Sequence, residues 1–307
     1  MTEDLRERVG ATLGAPTSPP VHAFASYLAQ AAGAKAALFY GSNLRSGSLE
    51  GVLDFYLLTD GPVERGIWPR VSYHEWSYPA GPAGQVLRAK VATMTLATFR
   101  TAAAGGMIDT TIWTRFVQPA VLAWTANAAV RDRIVEAVAT AAVTASRFAV
   151  ALGPAQGTAE EFWQVLFRAT YRAEFRIEKP GRENDIIGFN RAHFAGLLPS
   201  ALNAAGIGFA LIGDRLQPAL SESERSRLRR AWAPRQRLGK AYNLIRLVRA
   251  AMTFAGAARY AAWKVERHTG VAVRLTPWVE RHPVLAAPGV LWRVWRARRR
   301  MVAEQAG

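Results

Sequence analysis

Residues 36–60 read AALFYGSNLRSGSLEGVLDFYLLTD. Two short apolar and aromatic runs, 36–40 and 52–58, flank a segment rich in Gly and Ser, and each has the length and residue types of a buried strand. Aspartate in the middle of the second run, Asp54, is costly to desolvate unless it meets a cation or hydrogen-bond donors. A metal ion satisfies it most economically. Gly41 lets the backbone approach phosphate oxygens, the Ser42 hydroxyl and nearby amides can bind them, and Asp54 can hold Mg2+ on the same phosphates. The pattern points to nucleotidyl transfer. A plain turn followed by a strand-end Asp fits the same residues, and the spacing alone leaves both readings open. The second acid usual in such sites, two positions on, is missing; that residue is Tyr56.

Working outward, residues 71–76 and 85–95 read as further strands separated by the turn-rich PAGPAG. From about residue 97 to 150, Ala and Val at helical spacing predict helices. Thr158 with Glu161 makes a capping box, predicting a helix over 159–172. The expected class is α+β.

The chain has 307 residues and no cysteine, which excludes disulfide frameworks, zinc-thiolate and iron–sulfur sites and a Cys nucleophile. Its first residues, MTEDLRERVGATLG, carry acids and no apolar stretch, so no signal peptide is expected. The uncharged run 192–213 contains His193, Pro199, Asn203 and four glycines, so no transmembrane helix is expected there. Charge is unevenly spread: residues 1–220 hold 20 basic and 18 acidic side chains, and residues 221–307 hold 19 and 5. A near-neutral body with a basic tail suggests chemistry in the body and attachment to an anionic surface through the tail.

Several ordered blocks resemble the mitochondrial translocator assembly and maintenance family, which are CDP-diacylglycerol synthases of nucleotidyltransferase fold. The first is FYGSNLRSGSLEGVLDFYLLTD, where the family has a Tyr-Gly-Ser turn and then Leu-Asp-Phe, also without the adjacent second acid. The second is Val71-Ser72-Tyr73-His74 with Arg88-Ala89-Lys90-Val91. The third runs from Trp113 to Pro119, with Gln118 in place of the family's Lys. The fourth runs from Tyr171 to Ile177, with Glu174 in place of Asp, followed by Arg182-Glu183-Asn184 and Asn190-Arg191-Ala192-His193-Phe194.

The resemblance implies a nucleotidyltransferase-type mixed sheet in residues 1–130 and a helical or winged-helix-like domain in 131–220 that contributes to the active site, and the charge pattern adds a basic amphipathic tail in 221–307. It implies a reaction of CTP with phosphatidic acid that yields CDP-diacylglycerol and pyrophosphate, for phosphatidylglycerol and cardiolipin synthesis. Under it Asp54 and Glu174 are the expected Mg2+ ligands. Tyr40, Gly41, Ser42, Lys90 and Arg115 are expected to hold phosphates, and Asp54, Lys90 and Arg176 to serve catalysis. Arg suits bidentate contact with phosphate. His193 is expected to be a packed or surface residue outside catalysis.

Over residues 240–267, at roughly 100° per residue, Arg246, Arg249, Lys264 and Arg267 fall on one arc opposite apolar residues. Such a helix suits a headgroup layer. Trp292 and Trp295, amid the cluster ending Arg298-Arg299-Arg300, and Trp263 are the expected interfacial anchors. The expected location is peripheral, on the cytoplasmic side of the inner membrane. An ordinary amphipathic helix packed on the body fits the pattern too. An RNA-directed nucleotidyltransferase would share Asp54 but would want more basic charge in the body, so a nucleic-acid partner is not expected. A membrane-associated scaffold without activity is the third reading.

Overall fold

The computed structural model describes residues 2–66, 69–81, 85–174, 182–253, 256–269, 271, 273, 275–281, 286, 288–289, 292–293 and 296. The chain opens with α1 (Glu3–Leu13) and α2 (Pro19–Ala31), the latter begun by prolines where a missing N–H is harmless. The next elements are β1 (Ala34–Tyr40), α3 (Ser42–Ser46), β2 (Leu53–Thr59), β3 (Arg70–Ser77) and β4 (Val86–Thr95). They are followed by α4 (Leu96–Ala103), α5 (Thr111–Phe116), β5 (Ala120–Thr125) and α6 (Ala128–Leu152). The sheet order is β3-β4-β2-β1-β5, with β2 and β4 parallel and every other pair antiparallel. The fold is mixed α+β, as the sequence predicts.

Both faces of the sheet are covered, so its central strands read as nearly continuous apolar runs rather than as alternation. Phe39, Phe55, Leu57 and Val91 pack on one side with Phe24 and Leu28 of α2. Leu38, Tyr40, Tyr56, Leu58 and Met94 join the larger core with α1, α5 and α6 on the other. Register then builds a row across that second face. Tyr40 lies opposite Asp54, Asp54 beside Lys90, and Lys90 opposite Tyr73.

Two sequence expectations need correction. Residues 120–125 form β5 rather than helix: Pro119 lacks an N–H to continue α5, and the AVLAWT run pairs with the open edge of β1. The amphipathic stretch 240–267 is not one helix. It is divided between α10 (Glu222–Thr253) and α11 (Ala257–Thr269), with Gly256 between them at φ 82°. A Cβ there would lie 2.7 Å from the Tyr73 carbonyl oxygen, so glycine meets both a conformational and a spatial demand.

The rest of the body comprises β6 (Gly157–Thr158), α7 (Ala159–Ala173), α8 (Arg182–Phe189), α9 (Arg191–Ala204), β7 (Phe209–Ile212) and β8 (Arg215–Pro218). The three strands form a small sheet in the order β6-β8-β7. Thr158 and Glu161 make the capping box that starts α7. The 130/131 division falls inside α6, whose buried residues share one contiguous core with the sheet and with α7 and α9. Among the described residues α6 is long and apolar enough to cross a membrane, but 78% of its apolar window is buried in this core.

The tail begins as part of the body. Trp232 of α10 is in the core, and Arg225 and Arg229 donate to the carbonyls of Val150 and Ala151 at the end of α6. Those carbonyls have no partner within their helix, and the cations complement its negative end. A short α12 (Pro277–Arg281) packs near α11.

Candidate active site

Seven elements, β1, α3, β2, β4, α5, α7 and α8, converge on a cavity of about 250 Å3 lined by Tyr40, Gly41, Ser42, Arg45, Asp54, Lys90, Arg115, Gln118, Pro119, Tyr171, Ile186 and Asn190. Tyr40 ends β1, and Gly41 turns the chain at φ 92° into α3. Asn43, buried behind this turn, donates to the carbonyls of Ser48 (2.9 Å) and Glu50 (2.8 Å). Those two bonds hold the Gly-Ser segment in a compact loop, so Ser42 and Arg45 face the cavity from a fixed base. Asp54 and Lys90 arrive side by side from the parallel strands β2 and β4, with Nζ 3.9 Å from Oδ1.

Arg115 reaches the cavity from α5, its guanidinium 4.7 Å from the centre of the Tyr40 ring. Burial works against its charge, but Tyr40, Tyr56, Asp54 and Glu174 outweigh that cost and its pKa lies above the ordinary value. Its Nε is buried without a hydrogen-bond partner among the described residues. A buried donor left unpaired is expensive. Burial pushes the Asp54 carboxyl upward, while Lys90 and then Arg115 pull it down. The cavity thus holds three cations, Arg45, Lys90 and Arg115, against one carboxylate. That excess of positive charge suits a polyanion.

All six of the residues Tyr40, Gly41, Ser42, Asp54, Lys90 and Arg115 meet in this one cavity. Glu174 does not line it. Glu174 is the C-cap residue of α7, its backbone amide donating to the Thr170 carbonyl, and its buried carboxylate accepts the Thr110 hydroxyl just before α5. Arg176 lies outside the described residues, as do Trp295 and the side chain of Arg249. Nothing in the sequence pattern marked Arg45, although it sits three residues after Ser42 on the same helix face. Tyr171 and Asn190 belong to the family-like blocks but carried no expected role. His193 is a packing residue, its Nε2 donating to the Val117 carbonyl at 2.9 Å.

Arg246 corrects the expected arc of membrane-facing cations. Its Nη1 lies 3.1 Å from Asp109 Oδ2 and 2.8 Å from Thr111 Oγ1, turned into the body because Asp109 is buried and needs a counter-charge. Asp109 also accepts the Thr111 amide, so α10 steadies the start of the helix that carries Arg115. Of the remaining tail residues, Trp263 is half-buried, Lys264 and Arg267 are exposed, and Trp292 is exposed.

No family model matches the chain, and no curated protein matches its sequence.

Mg2+ can be tested against the donors present. Among the described residues no group of three or more His, Asp or Glu could cage a metal ion. Mg2+ is commonly held by only one or two carboxylates plus substrate phosphates and waters. A single carboxylate facing a polyanion cavity fits that arrangement.

Proposed function

We propose that the protein is a phosphatidate cytidylyltransferase, joining CTP and phosphatidic acid to give CDP-diacylglycerol and pyrophosphate. The observation that carries this reading is the cavity itself, where the Gly41-Ser42 turn and three cations surround one strand carboxylate. In the reaction an oxygen of the lipid phosphate attacks the α-phosphorus of CTP. A P–O bond forms there as the bond to the bridging oxygen breaks, and pyrophosphate leaves with that oxygen. Transfer of this kind asks for alignment and charge neutralisation rather than a covalent intermediate.

The chain's own residues supply those needs. Ser42 and the turn hold triphosphate oxygens, with Gly41 leaving room for them. Arg115 and Arg45 neutralise the departing pyrophosphate. Lys90, released from Asp54 when phosphate enters, moves its charge onto the reacting group. Asp54 would hold Mg2+, which when bound supplies further charge neutralisation to the phosphates.

A lipid acceptor is favoured by the tail. Leu238, Leu244, Ile245, Trp278 and Trp292 are large apolar side chains more than half exposed, interspersed with the cationic residues of the 221–307 segment. Exposed apolar groups beside cations suit an anionic headgroup layer. The test is pyrophosphate release by the purified protein with Mg2+, CTP and phosphatidic acid in mixed micelles, beside Asp54→Ala and each other nucleotide. Turnover that needs both CTP and lipid and is lost in the variant supports the reading. No turnover with any nucleotide overturns it.

A further inference from the structure

A second cavity, of about 550 Å3, opens where β4 begins, between residues 49–51 and α11. Its walls are Leu49, Glu50, Gly51, Gln85, Val86, Leu87, Arg88, Trp263 and Arg267. Trp263 is flanked by two guanidinium groups, Arg88 at 5.7 Å and Arg267 at 5.3 Å from its ring. Arg88 uses Nε to hold Glu75 at 3.3 Å, and Glu75 also accepts the Tyr73 hydroxyl. Arg88 is thereby tied to the Glu75–Tyr73 pair on one side, and its guanidinium lies over Trp263 on the other. Arg267 makes no ion pair among the described residues. Gly51, at φ 85°, brings its backbone so close that a Cβ would lie 3.1 Å from Arg267 Nη1.

The register places this groove beside the first cavity. Arg88 and Lys90 are two residues apart on β4, hence on the same face and about 7 Å apart along the strand. Lys90 lies against Asp54. α11 lies over the same part of the sheet, with Tyr260 packed on Tyr73 at 5.3 Å. Two arginines that share an aromatic platform suit a compact dianion, and Leu49, Val86 and Trp263 offer an apolar wall next to it.

We propose that this groove is the acceptor site, binding a phosphate monoester between Arg88 and Arg267 with the attached apolar group along Trp263 and Leu49. The inference rests on reading the neighbouring cavity as the cytidylyl-transfer site, and it gives Trp263 and Arg267 a specific headgroup role rather than general surface attraction.

The test uses the full chain with phosphatidylcholine vesicles carrying either phosphatidic acid or, at matched surface charge, phosphatidylglycerol, and separately with soluble glycerol 3-phosphate. The wild type should prefer phosphatidic acid vesicles. Arg88→Gln with Arg267→Gln should lose that preference, each arginine being worth roughly tenfold in affinity. Lys264→Gln, an exposed cation on the same helix, should weaken both vesicle types alike. Arg267→Gln alone alters an exposed side chain and reads the site even where the Arg88 variant misfolds. An arginine-dependent affinity for glycerol 3-phosphate identifies the headgroup alone as ligand, whereas dependence seen only with vesicles identifies the whole lipid. Both uphold the site. An unchanged preference in the double variant, or equal loss from both vesicle types, overturns it. Asp54→Asn should keep the preference. Arginine-dependent binding without any CTP turnover would uphold the groove and sink the transferase reading. Turnover whose lipid dependence ignores both arginines would do the reverse.

Discussion

Gly41 and Asp54 are fitted to one another: a Cβ on Gly41 would lie 2.9 Å from Asp54 Oδ2, and Gly41 itself sits at φ 92°, ψ −162°. Alanine there meets two penalties, since L side chains avoid that backbone region and the carboxylate must move aside. Gly41→Ala should destabilise the protein by about 1–3 kcal/mol. It should also lower turnover on the order of 100-fold, because a shift of about 1 Å at the reacting groups is costly. Gly47 is the control. It also has positive φ, 67°, but open space around it, so Gly47→Ala should cost about 1 kcal/mol and leave kcat intact. Urea midpoints and kcat for the two variants separate backbone strain from displacement of Asp54.

Asp54→Asn should abolish turnover yet raise the melting temperature of the ligand-free protein. Burial raises the Asp54 pKa in the fold despite Lys90 and Arg115, so the ionised side chain at neutral pH costs stability relative to the unfolded chain. A neutral isostere removes that cost. The gain should disappear when CTP and Mg2+ are added, because the wild type alone is then stabilised by tight binding. A lower melting temperature in ligand-free Asp54→Asn would mean that the two cations outweigh burial.

Much of the sheet was legible because its strands are short, apolar and punctuated by Gly and Pro. The run 36–40 and strand β1, or 71–76 and β3, differ only at their ends. β5 was not legible: Ala120 to Thr125 contains two alanines inside an Ala-rich region, and only its pairing with the edge of β1 makes it a strand. Within the cavity, Gly41, Ser42 and Asp54 stood out because glycine before a polar turn and an acid in an apolar run are locally anomalous. Arg45 and Asn43 were silent, since a lone Arg or Asn in a Gly/Ser-rich segment is ordinary until the loop closes. Arg246 misled for the opposite reason. Helical spacing placed it with other cations, and its partner, Asp109, is 137 residues away in sequence.

Arg246→Ala should cost more than its position on a basic tail suggests. It would strip the counter-charge from Asp109, whose side chain is 5% exposed, and leave that carboxylate and the start of α5 unsupported. A loss of about 1–3 kcal/mol is expected. Arg259→Ala breaks an exposed pair with Glu280 and should change stability by less than about 0.5 kcal/mol. Vesicle binding makes the complementary comparison, and Arg246→Ala should leave the affinity of the folded protein for anionic vesicles unchanged. Weaker vesicle binding by a still-folded Arg246→Ala protein would return Arg246 to the membrane surface.

His193 gives the structure a pH dependence whose sign can be worked out. Burial lowers its pKa from 6.5, with nearby Arg8 lowering it further against the Val117 hydrogen bond. The unfolded chain therefore takes up the proton at higher pH than the fold does. The stability His193 contributes is fully present above about pH 6.5 and declines as pH falls from there to its depressed native pKa, with a slope of at most about 1.4 kcal/mol per pH unit. His193→Gln retains a donor for the Val117 carbonyl but cannot titrate. Its difference in unfolding free energy from the wild type should shrink or reverse between pH 7 and roughly pH 5. His74, whose pKa burial also lowers, acts with the same sign and stays in both proteins, so it cancels from that difference. Parallel stability profiles for wild type and His193→Gln would show that the imidazole titrates in the fold as it does in water.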